Sequence, residues 1–200
     1  MGAQHLSSPH VMLEIPMSIK SKLQMLVCLC LAIFAFANED EARAEKVFQD
    51  PEVFLTEVFD GPVPDPSFLW LISDVKAAAY EILDRNLSGL RQRYWRQGDQ
   101  TVWILEEIGK TQAITTGISV NDGTIERLQV LIYRESHGWE VRYPFFTDQF
   151  RGMSLSSEME LSEQVDGISG ATLSVRALTK LARLALLFDG LVRAEGEANE

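Results

Sequence analysis

RQRYWRQGDQTVWILEEIGKTQAITTGISVNDGTIERLQVLIYR, residues 91–134, is the stretch on which the fold turns. Four runs in it, residues 91–97, 101–108, 112–120 and 124–134, are rich in Val, Ile, Thr, Tyr and Trp and alternate with a period of two. That composition and period suit a pleated, half-buried surface. The runs are separated by Gln-Gly-Asp-Gln, Gly-Lys and Asn-Asp-Gly. Asn121-Asp122-Gly123 is a strong hairpin signal, because Asn and Gly tolerate the positive φ such turns require. Connections this short cannot make parallel crossovers, so an antiparallel meander is expected.

Upstream, residues 74–86 read as a helix, with Ser73 as N-cap and an apolar stripe of Val75, Ala79, Ile82 and Leu83. Asn86 and Gly89 are expected to end it. The prolines of Gly61-Pro-Val-Pro-Asp-Pro66 impose an extended or turned path. Residues 45–61 carry mixed signals, with Phe48, Phe54 and Phe59 among acids. Downstream, residues 138–143 read as an extension of the sheet, and 145–150 as a helical turn under Pro144. Residues 172–188 have helical spacing, with apolar positions at 175, 178, 181, 182, 185 and 186. Asp189-Gly190 is expected to close that helix, and residues 195–200 read as a polar, disordered tail. The fold class is α+β, an antiparallel sheet flanked by helices. The organisation read from the chain is an N-terminal extension and signal segment (1–44), a lead-in and helix (45–89), the main domain (90–190) and the tail (191–200).

The formal charge of −11 on 200 residues argues against a nucleic-acid partner, since phosphate binding needs a basic surface. Lys20 and Lys22 precede LQMLVCLCLAIFAFA, residues 23–37. A basic flank, a short apolar run and small-x-small sites at Ala35-Phe36-Ala37 and Ala42-Arg43-Ala44 read as an export signal, with the second site preferred. The expected location is periplasmic or extracytosolic; an uncleaved, membrane-anchoring segment is the alternative. Met17 is the natural start of such a signal. Cys28 and Cys30 both lie in the run, so its removal leaves no cysteine for a disulfide, thiolate metal site or nucleophile.

Chemistry concentrates in Asp166-Gly167-Ile168-Ser169-Gly170-Ala171-Thr172, just before the last helix. Glycines and small residues allow close approach of a ligand to backbone. Unpaired amides and the dipole at a helix start favour a phosphate there. A phosphodiester on the Thr172 hydroxyl is one reading; a glycine loop in which Ser169 or Thr172 caps a helix is the other.

This run resembles the flavinylation motif of the FMN-binding domain family. That family includes subunits of the sodium-pumping NADH:quinone oxidoreductase and of the Rnf complex, and small exported flavoproteins. Residues 111–120, the strand from Gly123 to Glu135, Glu135-Ser136-His137-Gly138 and residues 146–152 also resemble the family pattern. Ser136 and His137 depart from the Thr and Pro of its Glu-Thr-Pro-Gly segment. The resemblance implies FMN esterified through its phosphate to Thr172, with Asp166, Gly167, Ser169, Gly170 and Ala171 forming the motif around it. It also implies a flavin transferase that uses FAD as donor.

The function expected from the resemblance is electron relay, between a membrane redox protein or a cytochrome and an extracytosolic acceptor. Flavin supplies the redox chemistry and the protein supplies position and electrostatics. Thr172 is then an anchor, and no residue is assigned a catalytic role. A small exported FMN-dependent reductase and a flavin-free binding module are the alternatives. Among other residues, His137 is a candidate neighbour of the flavin, or simply a solvated loop histidine. Tyr94, Trp95, Trp103 and Trp139 are candidates for stacking on its ring, or core residues. Adjacent Glu106 and Glu107 point to opposite faces of their strand and cannot share a site. Arg91, Arg93 and Arg96 form a small basic cluster, read as solvated strand-face charge or as a dock for an acidic partner.

Overall fold

The computed structural model describes residues 45–197. The export segment, its cleavage sites, Met17 and both cysteines lie outside these residues. Six antiparallel strands form one sheet in the order β1-β6-β5-β4-β3-β2. They are β1 (Lys46–Val47), β2 (Ser67–Trp70), β3 (Arg91–Gln97), β4 (Gln100–Ile108), β5 (Ala113–Asn121) and β6 (Thr124–Tyr133). The four runs of the opening stretch are the central meander, each within a residue or two of its expected bounds. Asp122 and Gly123 both take positive φ, 48° and 73°, as the tight β5–β6 turn demands.

Among the described residues four α-helices accompany the sheet: α1 (Pro51–Phe59), α2 (Ser73–Leu83), α3 (Pro144–Thr147) and α4 (Thr172–Glu197). The α+β class is as expected. The main core lies between the sheet and helices α2 and α4. Trp103 is fully buried there, 4.8 Å from the Tyr94 ring and 5.3 Å from that of Phe188. These two sheet aromatics are therefore core. A smaller core fills the opposite face, where Phe54, Leu55 and Phe59 of α1 meet Trp95, Val102 and Leu131.

Several expectations at element ends need correction. Helix α1 was not foreseen, although Asp50 accepts from the Glu52 amide at 2.8 Å and Pro51 opens the helix, both ordinary start signals. Ser73 is the first residue of α2 and not its cap; Ile72 holds the cap position, and its carbonyl accepts from Lys76. The helix ends earlier than Asn86, at Asp84. There a φ of 57° lets its amide reach the Tyr80 carbonyl at 2.8 Å. Residues 138–143 do not extend the sheet; Trp139–Arg142 is a single 3₁₀ turn, entered through Gly138 at φ 85°. The expected turn under Pro144 is present as α3 and a following 3₁₀ turn, Asp148–Phe150.

Asp189-Gly190 does not close the last helix. Asp189 faces the sheet, fully buried, where Thr101 Oγ1 donates to its Oδ1 at 2.7 Å. The helix carries on through buried Val192, so residues 195–197 are helical; 198–200 lie outside the described residues.

Candidate functional site

Strand β6 ends at Tyr133, and the chain then makes the loop Arg134-Glu135-Ser136-His137-Gly138. Two side chains hold this loop. Glu135 is buried and reaches the β4–β5 turn, where its Oε1 accepts from the amides of Thr111 (2.6 Å), Gln112 (2.9 Å) and Lys110. Thr111 Oγ1 donates to Oε2 at 3.2 Å. Burial opposes ionisation of this carboxyl, but the convergent amides outweigh it and hold its pKa below the ordinary Glu value. Tyr133 is the second fastener. Its hydroxyl donates to the His137 carbonyl at 2.6 Å and pairs with Ser174 Oγ at 2.8 Å. The single phenolic proton is thus committed to the carbonyl, which leaves Ser174 as donor to Tyr133. Burial raises the Tyr133 pKa and keeps the phenol protonated.

Gly138 completes the junction. A Cβ there would lie 2.8 Å from Ser174 Oγ and 3.4 Å from the Ala171 Cα. Only glycine lets the loop press this closely on the start of α4, and its positive φ restricts the position further.

The Asp166–Thr172 run approaches from the other side. Its start is held by Gln149, whose Oε1 accepts from the Asp166 amide at 2.8 Å. Ile168 to Ala171 then forms a turn closed by the Ala171 amide on the Ile168 carbonyl at 3.0 Å, with Gly170 at φ 84°. Thr172 opens α4, and the Ala171 carbonyl accepts the first helical bond from Val175 at 2.9 Å. Alanine at the cap position offers no side-chain acceptor to the first-turn amides, and Ser174 Oγ is engaged by Tyr133. The amides at this helix start are therefore left for an external anion.

Loop, turn and helix start enclose a cavity of about 430 Å³, lined among others by Lys110, Glu135, His137, Gly170, Ala171 and Thr172. That volume lies in the range of small-molecule sites, about 300–1,000 Å³. Of the motif, Gly170, Ala171 and Thr172 line it, whereas Asp166, Gly167 and Ser169 are exposed on the approaching loop. Thr172 is itself exposed at the cavity wall. His137 stands at the same cavity, its Nδ1 2.8 Å from Ser136 Oγ. Trp139 lies just outside, in edge contact with Tyr143 at 5.7 Å. Reading the sequence did not single out Lys110, Tyr133 or Ser174. The position of Tyr133 at the very end of a strand was the one available signal for it.

Residues 109–187 match the model of the FMN-binding domain family. They are an FMN-binding domain. The matched stretch begins at the β4–β5 turn that Glu135 grips and ends within α4, so it contains every residue lining the cavity. No curated protein and no solved structure matches the chain. FMN is the cofactor of such a domain, and the cavity of this one suits it chemically. The uncapped amides of α4 and the Lys110 ammonium offer positive potential to a phosphate. The one carboxylate lining the cavity, Glu135, is ionised, but its Oε1 is turned onto the amides of Lys110, Thr111 and Gln112, which partly offset its charge. Glu106 and Glu107 are indeed apart: Glu106 accepts from Thr115 at 2.6 Å on one face, while Glu107 on the other pairs with Arg85 at 2.6 Å.

Proposed function

We propose that this protein is an exported electron-transfer flavoprotein carrying FMN in phosphoester linkage to Thr172. The observation that carries the reading is the exposed Thr172 hydroxyl at a helix start whose amides have no side-chain cap, on the wall of a 430 Å³ cavity. An ester at that hydroxyl leaves one negative phosphate oxygen charge beside the α4 amides, where the helix dipole stabilises it by about 0.3–1 kcal/mol. In the attachment step the Thr172 oxygen forms a bond to the flavin phosphorus of FAD. The bond to the AMP half breaks, and the hydroxyl proton leaves to a base of the transferase. Bound FMN supplies the one- and two-electron chemistry.

The chain's own residues position and shield. Gly138, Tyr133 and Ser174 lock the loop bearing His137 against the helix start. Glu135 ties that loop to the turn bearing Lys110. His137, its Nδ1 paired with Ser136 Oγ, lines the cavity beside Thr172. Electrons pass to a membrane redox protein or cytochrome outside the cytoplasm. Attachment by a covalent bond keeps the cofactor where it could not be replaced. Lys20 and Lys22 followed by the apolar run of residues 23–37 support export, as signal or as anchor.

The test is an intact mass of the chain coexpressed with a flavin transferase, beside Thr172→Val. The expected result is a gain of one FMN less one water, absent from the variant. A wild-type chain without the gain, while a control substrate is flavinylated, refutes the covalent reading.

A further inference from the structure

Strand β2 is the outermost strand of the sheet, paired with β3 on one side and, among the described residues, with no strand on the other. Its outer row of N–H and C=O groups can template another strand. Natural edges are blunted by short strands, prolines, lysines, inward charges or covering loops. This one is short, four residues after Pro66, with the Trp70 carbonyl taken by the Ile72 amide at 3.0 Å, but it carries no lysine and displays aromatic side chains. Leu69 points into the main core, so Phe68 and Trp70 share the opposite face, where they are 39% and 60% exposed. Ile72 and Leu90, 61% and 75% exposed, continue the patch, brought together by the Leu71 amide on the Leu90 carbonyl at 2.9 Å.

Helix α1 covers the sheet centre on this face and stops short of the β2 edge. Between them runs a groove of about 760 Å³, walled by Leu55, Pro64, Pro66, Arg93, Trp95 and Ile104. A contiguous apolar surface of this kind marks an interaction site more often than chance exposure.

Its charge says what kind. In register, Phe68 faces Arg93 and Trp70 faces Arg91. The Arg91 guanidinium lies over the edge strand, 4.0 Å from the centroid of Phe68, and that of Arg93 lies 5.9 Å from Trp95 of its own strand, on the wall of the groove. Arg85, Arg127, Arg134, Arg151, Arg183 and Arg193 are ion-paired, whereas Arg91 and Arg93, like Arg96, Arg142 and Arg176, have no carboxylate within salt-bridge distance among the described residues. Glu52 of α1 is the one acid lining the groove. Two arginines with no carboxylate partner among the described residues thus flank this edge in a chain of net charge −11. A second copy is a poor occupant: each copy carries that charge, and edge-to-edge pairing would bring the arginines of both copies together.

We infer that the β2 edge is the docking site for an extended, carboxylate-bearing segment of a partner protein. The segment adds to the sheet as a seventh strand. Its backbone pairs with β2, its apolar side chains enter the groove beside Phe68 and Trp70, and its carboxylates meet Arg91 and Arg93. The elements involved, α1, β2 and β3, all precede the FMN-binding domain, so this inference stands or falls separately from the flavin.

The experiment places the photo-crosslinker p-benzoylphenylalanine at position 70 in the full chain, in the cells that make it, and maps the adducts by mass spectrometry. Position 47, on the opposite sheet edge, is the control. The expected result is a position-specific adduct to one partner, within a segment containing Asp or Glu. Arg91→Glu with Arg93→Glu lowers its yield by about tenfold or more, and lysines at the mapped carboxylates restore it. Arg91→Gln with Arg93→Gln, which removes the charge and keeps a polar donor, gives an intermediate loss. An adduct to a second copy or to lipid overturns the inference. So does an adduct indifferent to the charge changes, or a yield no higher than at position 47. The adduct also persists in the Thr172→Val background; its loss there would tie docking to the flavin and overturn the separation drawn here.

Discussion

Two glycines of the motif look alike in sequence and differ in the folded chain. Gly170 has φ 84°, so a Cβ there is strained although no atom lies within 4 Å of it. Gly167 also faces open space, and its φ is not in the left-handed region. Nothing among the described residues demands glycine at 167; on the proposed function the demand comes from the transferase that approaches the motif. Gly170→Ala is expected to cost about 1–2 kcal/mol of stability. Gly167→Ala should leave the thermal midpoint within about a degree or two of wild type, yet slow flavin loading in a timed transferase assay. Equal loading rates for Gly167→Ala and wild type would reject that assignment. Glu135 makes a prediction in pH. Its folded pKa is depressed, so its contribution is full above the unfolded value, about 4.3, and is lost as pH falls through the folded one. Glu135→Gln should cost about 1.5–3 kcal/mol at pH 7. The gap from wild type should close on acidification below pH 4, measured by urea unfolding across that range.

At the scale of elements, the seat of α1 is a single missing side chain. A Cβ on Gly117, in the middle of β5, would lie 2.5 Å from the ring of fully buried Phe54. The helix rests on the sheet through that contact, with Arg127 stacked 5.2 Å from the same ring. Gly117→Ala should destabilise by about 1–3 kcal/mol through overpacking. It should also raise hydrogen exchange in α1 more than in α4, which packs on the other face. Uniform exchange across both helices would mean that α1 is not seated independently. The strands themselves were legible, because a period of two is a local property that survives any tertiary arrangement. Helix α1 was missed because Val53, Phe54, Leu55, Val58 and Phe59 crowd several faces and hide the period. The start of α2 was misread by one residue, since Ser73 is a good capping residue in isolation but the chain path places Ile72 there.

For the molecule as a whole, α4 is the beam that joins the site to the far end of the sheet. Trp103 Nε1 donates to Thr101 Oγ1 at 2.9 Å, and Thr101 donates to buried Asp189. Burial raises the Asp189 pKa against the opposing pull of Thr101 and Arg193. Past this anchor, Val192 is buried and Arg193 pairs with Asp122 of the β5–β6 turn at 2.7 Å. Truncation after Gly190 should therefore cost at least about 1.5–3 kcal/mol from Val192 alone, read as a lower urea midpoint. An unchanged midpoint would show that the last turns are idle. By itself the sequence determined the antiparallel meander and the helical face of α4, and marked the Asp166–Thr172 run as a candidate site, because alternation, turn residues and a short motif are written locally. Only the tertiary structure decided that Lys110, Glu135 and His137 meet Thr172 at one cavity, that Asp189 is an anchor and not a stop, and that aromatic rings and arginines share the β2 edge. Those contacts, most of them between residues tens of positions apart, are set by strand register, by one phenolic hydroxyl and by close packing at Gly138, and the neighbouring sequence does not say which distant residue each will meet.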